Sequence, residues 1–243
     1  LKAILRELET GIPESREGSI IKYESDLLRI RLNFVFGHFE KVFQQTKSLS
    51  PQPVLELGRQ AEFHYSLHRN SLAAHFYLHD YESFSAEYTK IEPSFNQSTS
   101  VVGHISINSF KAMNAFMAGN YLDANEYALA ACHLAQELEV EGSYFPFEAA
   151  YILMDTYLEF GEDEKSQHYV DKYLAVAIKC NQYPWISAYA AKGALIKLQS
   201  GNVNGALAQI RKGREAIAGP LFGPYISYIL DGHELICRLP LGD

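Results

Sequence analysis

The sequence predicts an all-α protein built as a stack of helical hairpins, and two punctuation signals in phase with each other predict it. The first is a Gly followed by a small polar or charged residue. It recurs as Gly37-His38-Phe39, Gly119-Asn120-Tyr121, Gly161-Glu162-Asp163, Gly201-Asn202-Val203 and Gly242-Asp243, with His79-Asp80-Tyr81 in the one vacant slot. The steps between these points are 42, 40, 42, 40 and 41 residues. Self-similarity at a period of about 41 residues marks a repeat protein whose hairpins cannot bury their apolar faces alone. The second signal is a Pro and then an aromatic, as Pro146-Phe147, Pro184-Trp185 and Pro224-Tyr225. Each stands where a helix is expected to begin, a position where the missing N–H of Pro would be unpaired anyway.

Each unit reads as a first helix, A, running up to the turn, and a second, B, leaving it. Gly ends a helix because the left-handed conformation costs it nothing. The neighbouring Asn, Asp, Glu or His can start the next helix by capping it or by meeting its N-terminal dipole. The A helices are expected near 20–36, 62–78, 102–118, 146–160, 184–200 and 224–240, and the B helices near 39–49, 81–92, 121–139, 163–180 and 203–218. Ser50-Pro51-Gln52-Pro53 and the stretch from Pro93 to Ser100 mark the earlier connections. The hairpins are thus expected over about 20–50, 62–92, 102–139, 146–180 and 184–218, within one continuous helical-repeat domain over 1–243. Residues 1–9, LKAILRELE, fall where a B helix of a truncated repeat would end, and 224–243 form another partial unit. With Leu rather than Met at the start and no polar capping repeat at either end, the chain is expected to be an interior piece of a longer protein.

Composition narrows the function. Apolar residues make up 47% of the chain, with 16 Tyr and 14 Phe against a single Trp, ample material for an extended core. A net charge of −8, offset by no basic cluster longer than Arg211-Lys212-Gly213-Arg214, argues against direct nucleic-acid binding. Cys132, Cys180 and Cys237 are odd in number and show no metal-ligand spacing, which fits buried thiols in a reducing compartment. No signal peptide or apolar run of the roughly 20 residues needed to cross a bilayer is present, so a cytoplasmic, soluble protein is expected.

MAGNYLDANEYALAACHLA and LQSGNVNGALAQIRKGREA resemble the tetratricopeptide pattern, with its Gly-Asn/Asp-aromatic turn and a small residue five positions after the Gly. Ala124 and Ala206 occupy that small position, Ser166 approximates it, and Val42 and Phe84 depart from it. The period exceeds the roughly 34 residues of standard units. Longer, degenerate repeats of this kind, with a closing HELICRLPLGD, resemble the sensor region of large bacterial ATP-dependent regulators of the LuxR type, the group that includes the maltose-regulon activator. The resemblance implies a right-handed superhelical solenoid of tetratricopeptide-like hairpins. It also implies an ATPase upstream, a helix-turn-helix domain downstream, and repeats that receive an effector or partner. Within the chain itself there is neither a GxxxxGK[ST] phosphate loop nor a defensible helix-turn-helix.

No nucleophile elbow, metalloprotease helix or glycine-rich phosphate loop appears, so no catalytic residue and no cofactor are expected. His64, His68, His75 and His79 form a stripe within about 60° on one helix, at spacings that would let a pair chelate a divalent metal or sense pH near 6. The plainer reading is that they are inter-helix histidines hydrogen-bonded to their neighbours. By the family's pattern, concave-groove positions lie 13, 10 and 6 residues before the turn. They select Glu24, Leu27 and Arg31; Ser66, Arg69 and Ala73; Ser106, Ser109 and Met113; Glu148, Tyr151 and Asp155; and Ala188, Ala191 and Leu195. Such a groove suits a protein, a peptide or a small polar effector. The expected function is a non-catalytic sensor domain of a bacterial transcriptional regulator. The alternatives are a protein–protein interaction scaffold and a peptide receptor in which Arg31 and Arg69 meet an acidic group.

Overall fold

The structure, a computed structural model, describes residues 16–35, 37–49, 60–95, 101–141, 146–218 and 224–241. Their regular structure is entirely helical: α1 (Arg16–Val35), α2 (Phe39–Ser48), α3 (Gln60–Tyr77), α4 (Tyr81–Phe95), α5 (Val101–Met117), α6 (Tyr121–Glu137), α7 (Phe147–Glu159), α8 (Asp163–Lys179), α9 (Tyr183–Gln199), α10 (Val203–Ile217) and α11 (Pro224–Arg238), closed by a 3-10 turn (Leu239–Leu241). Among the described residues no helix is long and apolar enough to cross a membrane. Contacts divide the chain into two units, Leu1–Ile107 and Asn108–Asp243, with the boundary inside α5. The segment 1–9, the connection at 50–53 and the turn at Gly242-Asp243 lie outside the described residues.

Five turns share one conformation. Gly37, His79, Gly119, Gly161 and Gly201 have φ between +55° and +76°. Around Gly161, its N–H donates to Leu158 O (2.9 Å) and the Glu162 N–H donates to Tyr157 O (2.8 Å), the paired bonds that satisfy the last carbonyls of a helix. The same pair recurs at Gly37, His79, Gly119 and Gly201. His79 accepts this conformation without being Gly, at a cost of roughly 1–2 kcal/mol for a residue with a Cβ. The residue after the turn then caps the next helix in three cases. Asp80 Oδ1 accepts from Ser83 N (3.1 Å), Asn120 Oδ1 from Asp123 N (3.4 Å) and Asn202 Oδ1 from Gly205 N (2.8 Å). His38 and Glu162 make no such side-chain bond.

The position five residues after each turn is fully buried, whether filled by Val42, Phe84, Ala124, Ser166 or Ala206. Where it is Ser, the hydroxyl is spent on Met154 O (2.8 Å). In unit 1, Tyr23, Ile30, Val42 and Leu67 form a core cluster with Leu27, Phe34 and Leu49 against it. In unit 2 the aromatic that follows Pro is central. Phe147 and Trp185 are buried and stacked at 5.9 Å, and Tyr189 donates from its hydroxyl to Phe147 O (2.7 Å). Fully burying such a side chain contributes about 1.5–3 kcal/mol. Helix α10 presses on α9 through Gly213, where an added Cβ would stand 2.6 Å from Ala190 Cβ.

Several boundaries differ from the sequence expectation: α1, expected from about 20, begins at Arg16. Helix α4 runs on to Phe95 and carries Pro93 inside it, rather than ending at 92. A Pro in the last turn forfeits only one backbone bond. Helices α6 and α8 end in left-handed turns at Glu139 and Asn181, bonded in the same paired manner but with no Gly to announce them.

Candidate functional site: a histidine–carboxylate cleft

Helices α2, α3 and α4 of unit 1 enclose a cleft of about 530 Å³ lined by residues from Glu40 to Lys90. Its central group is Glu87, contributed by α4. Helix α3 sends His68, Ser71 and His75 toward it because spacings of three and seven residues put all three on one face. His68 Nδ1 lies 2.5 Å from Glu87 Oε1, Ser71 Oγ donates to Glu87 Oε2 at 2.7 Å, and His75 Nε2 stands 3.4 Å from the same Oε2. The other ring nitrogen of His75 is 3.4 Å from Asp80 Oδ2, and its ring stacks on Phe43 of α2 at 4.3 Å and 14°. Burial works to raise the Glu87 carboxyl, but the hydrogen bonds from His68, His75 and Ser71 outweigh it and bring the pKa down to about 2.

Of the histidine stripe, His68 and His75 therefore converge on one carboxylate. His79 stands beyond the end of α3 in the left-handed turn, exposed. The side chain of His64 lies outside the described residues. Among the described residues no group of three or more His, Cys, Asp or Glu is arranged to hold a metal ion. Glu87, the residue that unites the cluster, was not singled out from the sequence. The signal that reaches it is a carboxylate at mid-helix in α4, opposite two imidazoles seven residues apart on α3.

The positions expected to line a groove are spread over several environments. Glu24 and Arg31 are exposed on α1, and Leu27 packs against the unit 1 core. Arg69, Ala73, Ser106, Ser109, Met113, Glu148 and Ala191 are buried among helices. Ser66 falls in α3 with its side chain outside the described residues, and Ala188 and Leu195 are half-buried. Tyr151 and Asp155 on α7 do come together, through a residue the sequence reading passed over. Lys192 of α9 pairs with Asp155 and places its Nζ 4.7 Å from the Tyr151 ring centroid. Burial raises the Asp155 carboxyl above its usual range although Lys192 pulls the other way.

No protein-family model and no curated protein matches the sequence. Among solved structures the chain is similar to BtubC (BKLC) from P. vanneervenii, with a TM-score of 0.56 and 11% identity over 95% of this chain and 86% of that one. At that identity the likeness is one of fold: an all-helical chain resembling BtubC through nearly its whole length.

Proposed function

We propose that the chain is a non-catalytic effector-sensing module of a larger bacterial transcriptional regulator, a right-handed tetratricopeptide-like superhelix with a period of about 41 residues. The cleft between α2, α3 and α4 carries this reading. Its volume of about 530 Å³ falls in the range that holds small molecules, and its central carboxylate is held by His68, Ser71 and His75. Left-handed turns at 37, 79, 119, 161 and 201 support the repeat architecture. An effector held in the cleft favours one arrangement of the repeats and so biases how an upstream ATPase and a downstream helix-turn-helix domain assemble. Such a module works in the cytoplasm and does not itself touch nucleic acid.

The reading is tested by extending the reading frame on both sides and assaying DNA binding of the complete protein with ATP. A phosphate loop upstream and a helix-turn-helix downstream are expected. Flanks of neither kind would sink the regulator. The second reading, an interaction scaffold, draws on Leu235, Ile236, Leu239 and Leu241, apolar residues more than two-fifths exposed at the end of α11 and just beyond it.

A further inference from the structure

The cleft has a direction. On α2, Glu40 stands in the first turn and Lys47 in the last. On α4, Asp80 caps the start and Lys90 lies ten residues on. At 1.5 Å per residue these acid–base pairs are separated by roughly 10 and 15 Å along their helices. His75, near the end of α3, touches Phe43 in the first half of α2 and Asp80 at the head of α4, which sets the two acidic starts side by side. All four charged residues line the cleft. One end is therefore acidic and the other basic, with the Phe43–His75 stack and Ala86 as an apolar wall between them.

We propose that this cleft binds a small zwitterion of amino-acid or dipeptide type, its ammonium group toward Glu40 and Asp80 and its carboxylate toward Lys47 and Lys90. The inference rests on the sensing reading only in making that zwitterion the effector. A polyanion is disfavoured by the Glu87 carboxylate at the centre, and a simple cation by the two lysines. An ion of both signs satisfies both ends and covers the aromatic wall with its side chain.

The test is NMR of the whole chain with pools of free amino acids and of Xaa–Leu dipeptides, read at the His68 and His75 rings and the Thr46 methyl. A saturable shift confined to the cleft is expected. The N-acetyl and the C-amide forms of the best probe should each bind at least roughly tenfold more weakly, as should the chain carrying Lys47→Met and Lys90→Met, whose exposed stems leave the fold intact. Pools that leave these signals unmoved, because water alone fills the cleft, would overturn the proposal, as would blocked forms that bind equally well. Binding with no effect on DNA affinity in the complete protein would remove the sensing role and keep the site. A regulator with an inert cleft would do the reverse.

Discussion

Replacing Glu87 by Gln keeps the shape of the side chain and removes its charge, so it isolates what the histidine–serine network contributes. The carboxyl titrates near 4.5 when unperturbed and at about 2 in the fold. Folding therefore favours the ionised form by about two and a half pKa units, or about 3 kcal/mol at 1.36 kcal/mol per unit. The folded pKa is depressed, so this stabilisation is fully present above the unfolded value and is lost as pH falls through about 4.5 toward 2. Glu87→Gln should lower unfolding free energy by about 3 kcal/mol near pH 7, and the gap between wild type and variant should shrink to about 1 kcal/mol near pH 3. Urea denaturation at the two pH values measures both quantities. A loss under about 1 kcal/mol at neutral pH, or a gap that does not change with pH, would refute the assignment of Glu87 as the charged centre of the cleft.

Three further outcomes are expected. Gly213→Ala puts a Cβ 2.6 Å from Ala190 Cβ. Overpacking of about 1–3 kcal/mol should exceed the helix-propensity gain of about 1 kcal/mol, lowering Tm, whereas Gly232→Ala, with nothing within 4 Å, should raise it. Lys192→Met strands the half-buried Asp155 carboxylate and should cost about 2–3 kcal/mol by denaturation, most of it recovered when Asp155→Leu is added. Burial pushes the Cys132 thiol up to about 12, so a disulfide reagent should modify the half-exposed Cys180 first and reach Cys132 only on unfolding.

Much of the helical layout was legible because its signals are local. A Gly with positive φ, an Asn that caps, and a Pro at a helix start each act within a few residues, so Gly119-Asn120 and Pro146-Phe147 carry their meaning in the sequence. The left-handed turns at Glu139 and Asn181 were not legible, since no Gly marks either of them. The site was half legible. The stripe of His68 and His75 follows from helical periodicity, but Glu87, nineteen residues after His68, meets it only through the pairing of α3 with α4. Lys192 escaped for a similar reason: it lies beside a counted groove position, and its partner Asp155 is 37 residues away.

By itself the sequence determined that the chain is all-helical and where most of its helices begin and end, because backbone capping and helical periodicity are settled among neighbours along the chain. Tertiary structure alone decided which polar groups meet. It brought His68, Ser71 and His75 onto Glu87, and buried Ser106, Ser109 and Glu148 among helices. A side chain's partner depends on how two helices are rotated and shifted against each other, and that is fixed by the summed packing of both faces rather than by any one residue's identity.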